Sequence, residues 1–330
     1  AFGADSMFLS SVKKAVAAIR IIQETKGEVL LTARFQGGNL VASRRGEVVL
    51  RAMGEGGLEY EWVRAHYKLS PYIEKFYEVR SSFPYQIISH TGFYGPETLT
   101  QINEYVMAVY KAITSAEFKK AERAQARAAN KLYVSFMGYI DDLVAKYARL
   151  VVVRIDLSYK RPEPDDGFDS VGDEVVKEAS LVQVCMHREL LLKKLSKTSS
   201  PCAMVGYAWK LEYGKRKGFH YHLMLFLDGS KVMRHVAIGK SIGEMWVNEI
   251  TEGAGSYWNC TGKEFYYKTC GVGEVDYYDA PKIQAVKDAA AYLVKIDRWI
   301  TTLVPKGMRC FGKGVVKKVE GTKIGRASCR

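Results

Sequence analysis

The residues with the clearest chemical potential are His220-Tyr221-His222, inside the run Gly-Phe-His-Tyr-His-Leu-Met-Leu-Phe-Leu-Asp228. Side chains of a strand alternate between faces, so two histidines at i and i+2 point the same way and can grip one ion. The preceding strand ends in Glu212 and Tyr213, and a turn centred on Arg216 pairs Tyr213 with Phe219 and Glu212 with His220. Glu212 is then directly across from the first histidine, on the same face. Two imidazoles and a carboxylate leave coordination positions open for water and a phosphate oxygen. That set suits a catalytic divalent ion better than a closed structural site. The plainer alternative is a polar stripe on an exposed sheet face.

A second element adds a nucleophile. A helix is predicted over Lys282–Leu303, with Ile283, Val286, Ala290, Leu293 and Ile300 as its buried stripe. Tyr292 flanks that stripe beside Asp288, Lys295 and Trp299. A tyrosine attacks covalently when a cation or metal stabilises the developing charge, and Lys295 is one turn away. The Tyr-x-x-Lys spacing is not specific, since it recurs at Tyr72/Lys75 and Tyr207/Lys210. Position, on a helix after the histidine strand, singles out Tyr292.

These residues need a frame. Leu150–Tyr159 is a β-branched run that reads as a buried strand. The acidic loop Glu163–Glu174 has Ser170 where a calcium loop needs glycine, and it reads as solvated. A helix over Val171–Lys197 leads to strands Ala203–Tyr213 and Phe219–Asp228, joined by the basic turn Lys215-Arg216-Lys217. A helix over Val232–Thr251 and aromatic strands around Tyr257–Tyr278 follow. The pattern predicts an α+β domain over residues 148–315, an antiparallel β-sheet with flanking helices. It is preceded by a mixed, mainly helical region over 1–147 and followed by a basic tail over 316–330. The chain starts at Ala1 without a methionine, as a fragment would, and Ile324–Arg330 reads like a translated sequencing adapter.

Composition narrows the partners. At 48% hydrophobic and 26% charged, the 330 residues exclude disorder and collagen-like chains. The net charge of +13 is spread over both halves and favours a polyanion such as nucleic acid. Six cysteines without a Cys-x-x-Cys pair argue for free thiols in a reducing cytoplasm. No run is apolar enough for a membrane anchor, so no membrane partner is expected. Gly239-Lys240-Ser241 lacks the earlier glycine of a P-loop, and the zinc-deaminase motifs are absent.

The order of strand, Glu-then-His-Tyr-His hairpin and Tyr-Leu-Val-Lys295 helix resembles the HUH (His–hydrophobic–His) endonucleases that initiate rolling-circle replication. More narrowly, Leu150–Leu157 (LVVVRIDL), Gly218–Gly229 (GFHYHLMLFLDG), Ile242–Trp246, Tyr292–Asp297 (YLVKID) and Arg309–Gly314 (RCFGKG) resemble the inovirus gene-two replication initiators of filamentous phages and their prophage copies. The likeness covers roughly residues 130–315. It implies an HUH endonuclease-like domain with an RRM-like core, acting in the cytoplasm of a bacterial host. It implies Mg²⁺ or Mn²⁺ on His220 and His222, with Glu212 or Asp156 completing the set. Tyr292 would attack a phosphodiester of single-stranded DNA at a replication origin, leaving a 5′-phosphotyrosine and a free 3′-OH. Lys295 would stabilise the charge, and Lys215, Arg216 and Lys217 would hold DNA phosphates. Trp209, Tyr257, Trp258, Tyr266, Tyr267, Tyr277 and Tyr278 are candidates for base stacking. Host helicase and polymerase are the partners implied. A non-catalytic DNA-binding protein from a degenerate prophage or mobile element is the alternative.

Overall fold

Eleven-residue strands rich in β-branched and large apolar residues organise the second half of the chain, and helices of good formers organise the first. The structure, a computed structural model, describes residues 5–28, 34–36, 39–41, 43–54, 64–83, 93–94, 96–160, 179–197, 203–214, 217–262, 271–295, 300–305 and 307–316. The expected acidic loop Glu163–Glu174, the aromatics Tyr266 and Tyr267, and the tail from residue 317 lie outside them. Contacts divide the chain into two units. The first comprises residues 1–133, 211–220 and 292–310, and the second comprises 134–210, 221–291 and 311–330.

In the first unit, α1 (Asp5–Glu24), α2 (Arg44–Gly54), α3 (Pro71–Ser81) and α4 (Pro96–Thr114) share one core. Ile19, Ile22, Met53, Phe76 and Tyr105 are fully buried there. Burying such a side chain contributes about 1.5–3 kcal/mol. Ser70 caps α3, its hydroxyl accepting from the Ile73 amide at 3.4 Å, and Pro71 fills the first helical position. Tyr105 donates its hydroxyl to the Phe76 carbonyl at 3.1 Å, so the one polar atom of this buried ring is satisfied. Short strands β1 (Arg34–Gln36), β2 (Asn39–Val41) and β4 (Phe93–Tyr94) form one small sheet. β3 (Tyr67–Leu69) pairs antiparallel with β10 (Ile300–Thr302).

The last pairing corrects a sequence expectation. The helix predicted to reach Leu303 is α8 (Ala280–Lys295), and Ile300 belongs to a strand rather than to the helix stripe. Ile300-Thr301-Thr302 is β-branched throughout, and its register against Leu69, Lys68 and Tyr67 outweighs the helical spacing.

The larger sheet has the order β11-β6-β7-β5-β8, with β9 also on β5. Its strands are β5 (Arg149–Tyr159), β6 (Met204–Gly214), β7 (Gly218–Asp228), β8 (Gly255–Asn259), β9 (Gly273–Asp276) and β11 (Phe311–Lys313). β5 is central and pairs antiparallel with β7, β8 and β9. Its Leu150 to Val153, Ile155 and Leu157 are buried, as a strand covered on both faces requires. Together with the helices this is the α+β, antiparallel-sheet architecture read from the sequence.

Helices cover both faces. On one, the long helix α5 (Ala116–Lys146) sets Tyr139 against Phe226, and Phe136 against Phe311. On the other, α6 (Leu181–Lys197) accepts the Tyr221 hydroxyl at the Val184 carbonyl and stacks Arg188 over Trp209 at 4.1 Å. α7 (His235–Met245) covers the same second face. Its Gly239 and Gly243, one turn apart, lie against Asn259 and Tyr257 of β8. A methyl group at Gly239 would meet Asn259 Oδ1 at 2.6 Å, so the glycine of the Gly-Lys-Ser run serves close packing. A π-turn, Trp246–Ile250, follows within the stretch predicted as one helix. Among the described residues, no helix is long and apolar enough to cross a membrane.

Candidate metal centre

The hairpin of β6 and β7 has the predicted geometry at its outer end. The rings of Tyr213 and Phe219 lie 4.8 Å apart, and Glu212 Oε2 is 3.8 Å from His220 Nε2. His222, two residues on, adds the third group, and one ligand atom from each of Glu212, His220 and His222 lies within 4.8 Å of the others. A divalent ion bound at about 2.1 Å to each ligand needs donor atoms roughly 3–4 Å apart, so the donor set fits one ion with modest closure.

The hydrogen bonds fix which ring nitrogen is offered. His220 Nδ1 is 3.0 Å from the Gly218 carbonyl oxygen, which only accepts, so Nδ1 carries the proton and Nε2 keeps its lone pair. His222 Nδ1 donates to Asp156 Oδ1 at 2.6 Å, which leaves its Nε2 for a metal in the same way. Asp156 is paired in register with His222 across β5 and β7. Of the two carboxylates left open, Glu212 lies in the cluster with both histidines, whereas Asp156 accepts from His222 Nδ1, a contact that would orient that ring were an ion bound. His220 is buried, whereas the His222, Asp156 and Glu212 side chains keep 13, 21 and 27% of their surface. The centre is thus open on the carboxylate side, where a substrate oxygen could enter.

Two cations that sequence reasoning missed share this sheet face. Lys210 is two residues before Glu212, and Arg154 is two before Asp156; both are buried. Nothing in their local sequence marks them, because burial of a strand lysine depends on what covers the sheet. Trp258 stands opposite Asp156 in register and is 39% exposed. Trp209 and Tyr257 are packing residues, under Arg188 and against Gly243. Tyr277 and Tyr278 are exposed, and Tyr278 donates to Asp276 Oδ2 at 3.3 Å.

Tyr292 is on α8, as predicted, and 59% exposed. α8 turns Val286, Ala290, Leu293 and Val294 inward. Its Lys287 pairs with Asp141 of α5 at 2.5 Å. Lys217 follows the hairpin turn, while Lys215, Arg216 and the side chain of Lys295 lie outside the described residues.

Residues 113–314 match the family described as the YagK/YfjJ C-terminal domain. The chain belongs to that family. The match runs from the end of α4 through β11, so the YagK/YfjJ domain includes the whole larger sheet, the histidine hairpin and α8. No curated protein matches the chain, and no solved structure does.

Proposed function

We propose that this YagK/YfjJ domain is a metal-dependent HUH-type endonuclease that nicks single-stranded or supercoiled DNA to start rolling-circle replication. The observation that carries the reading is the convergence of Glu212, His220 and His222, with the Gly218 carbonyl and Asp156 each accepting from a histidine Nδ1, the tautomer in which Nε2 is the nitrogen that can bind a metal. Mg²⁺ or Mn²⁺ bound there would polarise a phosphodiester and orient it. His220 and His222 bind through neutral imidazoles, and Glu212 supplies negative charge that favours a hard divalent ion. Arg154 and Lys210 add positive charge to the same face, suited to an anionic substrate. Trp258 offers an exposed ring on which a base can stack.

Tyr292 is the nucleophile in this reading. Its phenolic oxygen, on losing its proton, forms the O–P bond and the bond to the 3′-oxygen breaks. The 3′-oxygen leaves as a hydroxyl, and the 5′-phosphate stays on the tyrosine. Lys295 and the Lys215–Lys217 turn supply charge along the strand, and a polymerase extends the free 3′-OH. Incubation of the full chain with a supercoiled plasmid library and Mn²⁺ tests the proposal. The expected result is a nicked product and a protein–DNA adduct that survives denaturant, both absent with Tyr292→Phe. An adduct formed equally by the Phe variant would remove Tyr292 from this role.

A further inference from the structure

The long helix α5 is packed near both ends, by Phe118 and by the Phe136–Leu143 stretch, and bare between them. Phe136, Tyr139, Ile140 and Leu143 are buried, but between Lys119 and Lys131 no residue is. The exposed part holds five cations, Lys119, Lys120, Arg123, Arg127 and Lys131, against two acids, Glu117 and Glu122. Lys119, Arg123, Arg127 and Lys131 recur at every fourth position and therefore form one stripe along the helix. The rise of 1.5 Å per residue makes the stripe about 18 Å long, enough to follow the phosphates beside a major groove about 12 Å wide. Among the described residues none of the five is in an ion pair. A surface depression of about 380 Å³ is bordered by Ala116, Lys119, Lys120, Arg123 and Arg127.

The rest of the segment points to one kind of polyanion. Ala121, Ala124, Ala126, Ala128 and Ala129 are interspersed among the cations, so the helix surface has little bulk to hold a partner away. Alanine, lysine, arginine and glutamine are strong helix formers, which explains why an unpacked segment remains helical. The single aromatic of Ala116–Lys131, Phe118, is buried. Single-strand binders add exposed rings for stacking, whereas the phosphates of a duplex are held by Lys and Arg alone.

We infer that the exposed half of α5 binds the sugar–phosphate backbone of double-stranded DNA, through Lys119, Arg123, Arg127 and Lys131, as a site separate from the metal centre. The inference deepens the proposed function and rests on its premise that the chain acts on DNA. The stripe would hold duplex DNA, and the hairpin the single strand.

The test compares the full chain with a variant carrying Lys119→Gln, Arg123→Gln, Arg127→Gln and Lys131→Gln. Binding to a duplex oligonucleotide and to a single-stranded one is titrated over a series of salt concentrations, with helicity checked by circular dichroism. The slope of log affinity against log salt for the duplex is expected to fall by about 3.6, four contacts at about 0.9 each. Single-strand binding and cleavage should be retained. A companion variant that exchanges Lys and Arg at the four positions should keep duplex affinity, which separates loss of charge from loss of fold. An unchanged duplex slope, or no duplex binding by the parent chain, overturns the inference. If neither protein cleaves but the duplex slope still falls, the α5 site stands and the nuclease reading fails.

Discussion

Asp156 shows how one residue decides the character of the centre. Its carboxylate accepts from His222 Nδ1 and so fixes the tautomer that a metal requires. Asp156→Asn is expected to weaken Mn²⁺ binding about 10–100-fold, measured by calorimetry, with the fold retained. His222→Ala should abolish metal binding and cleavage while salt-sensitive DNA binding persists; equal loss of both would make the histidine structural. Trp258→Ala is expected to cost single-strand binding about 1–3 kcal/mol, read from filter-binding titrations. Away from the centre, burial lowers the pKa of His187, whose Nδ1 lies 2.9 Å from the Tyr159 hydroxyl. The unfolded ring protonates first as pH falls below its ordinary value of 6.5. Stability is therefore full above that value and is lost as pH falls towards the lowered folded one. Thermal melts at pH 7.5 and 5 should show a smaller loss for His187→Gln than for the parent chain. Glu212, His220 and His222 were legible in the sequence because one hairpin sets their spacing. Asp156's role was not, since it depends on the register between β5 and β7, strands far apart in sequence.

At the scale of elements, the hairpin boundaries read from the sequence agree with β6 and β7 to within a residue, because the glycines at 214 and 218 bracket the turn. The failures are also physical. The stripe Ile283–Ile300 had helical spacing, but the end of that stretch found a strand partner in β3, a tertiary choice that periodicity cannot register. The exposure of α5 was equally hidden, since its composition suits a packed helix as well as a free one. α7 gives a sharp test of close packing. A methyl group at Gly243 would overlap the Tyr257 ring, so Gly243→Ala is expected to destabilise the fold by about 1–3 kcal/mol in urea melts. A melt unchanged by Gly243→Ala would mean that α7 can shift away from β8 at little cost.

At the scale of the molecule, the surplus of +13 is an average over surfaces with different roles. Part of it is the α5 stripe, part is buried as Lys210 and Arg154, and part is the turn of the hairpin. Composition therefore gave an average that favours a polyanion, and burial shows which of these charges are exposed. The ligand geometry has a further consequence, for folding rather than for chemistry. All three donor groups come from one hairpin, so ion capture requires no long loop to close, and the entropy opposing it is small. Saturating Mn²⁺ at about 100 times its dissociation constant would add about 2.7 kcal/mol to the state that binds it. That gain should register as slowed amide hydrogen exchange along β6 and β7. The ion would then act as a rivet between two neighbouring strands, at a hairpin end already tied to the first unit by the Tyr67 hydroxyl on the Tyr213 carbonyl and by His66 stacked on the Tyr213 ring.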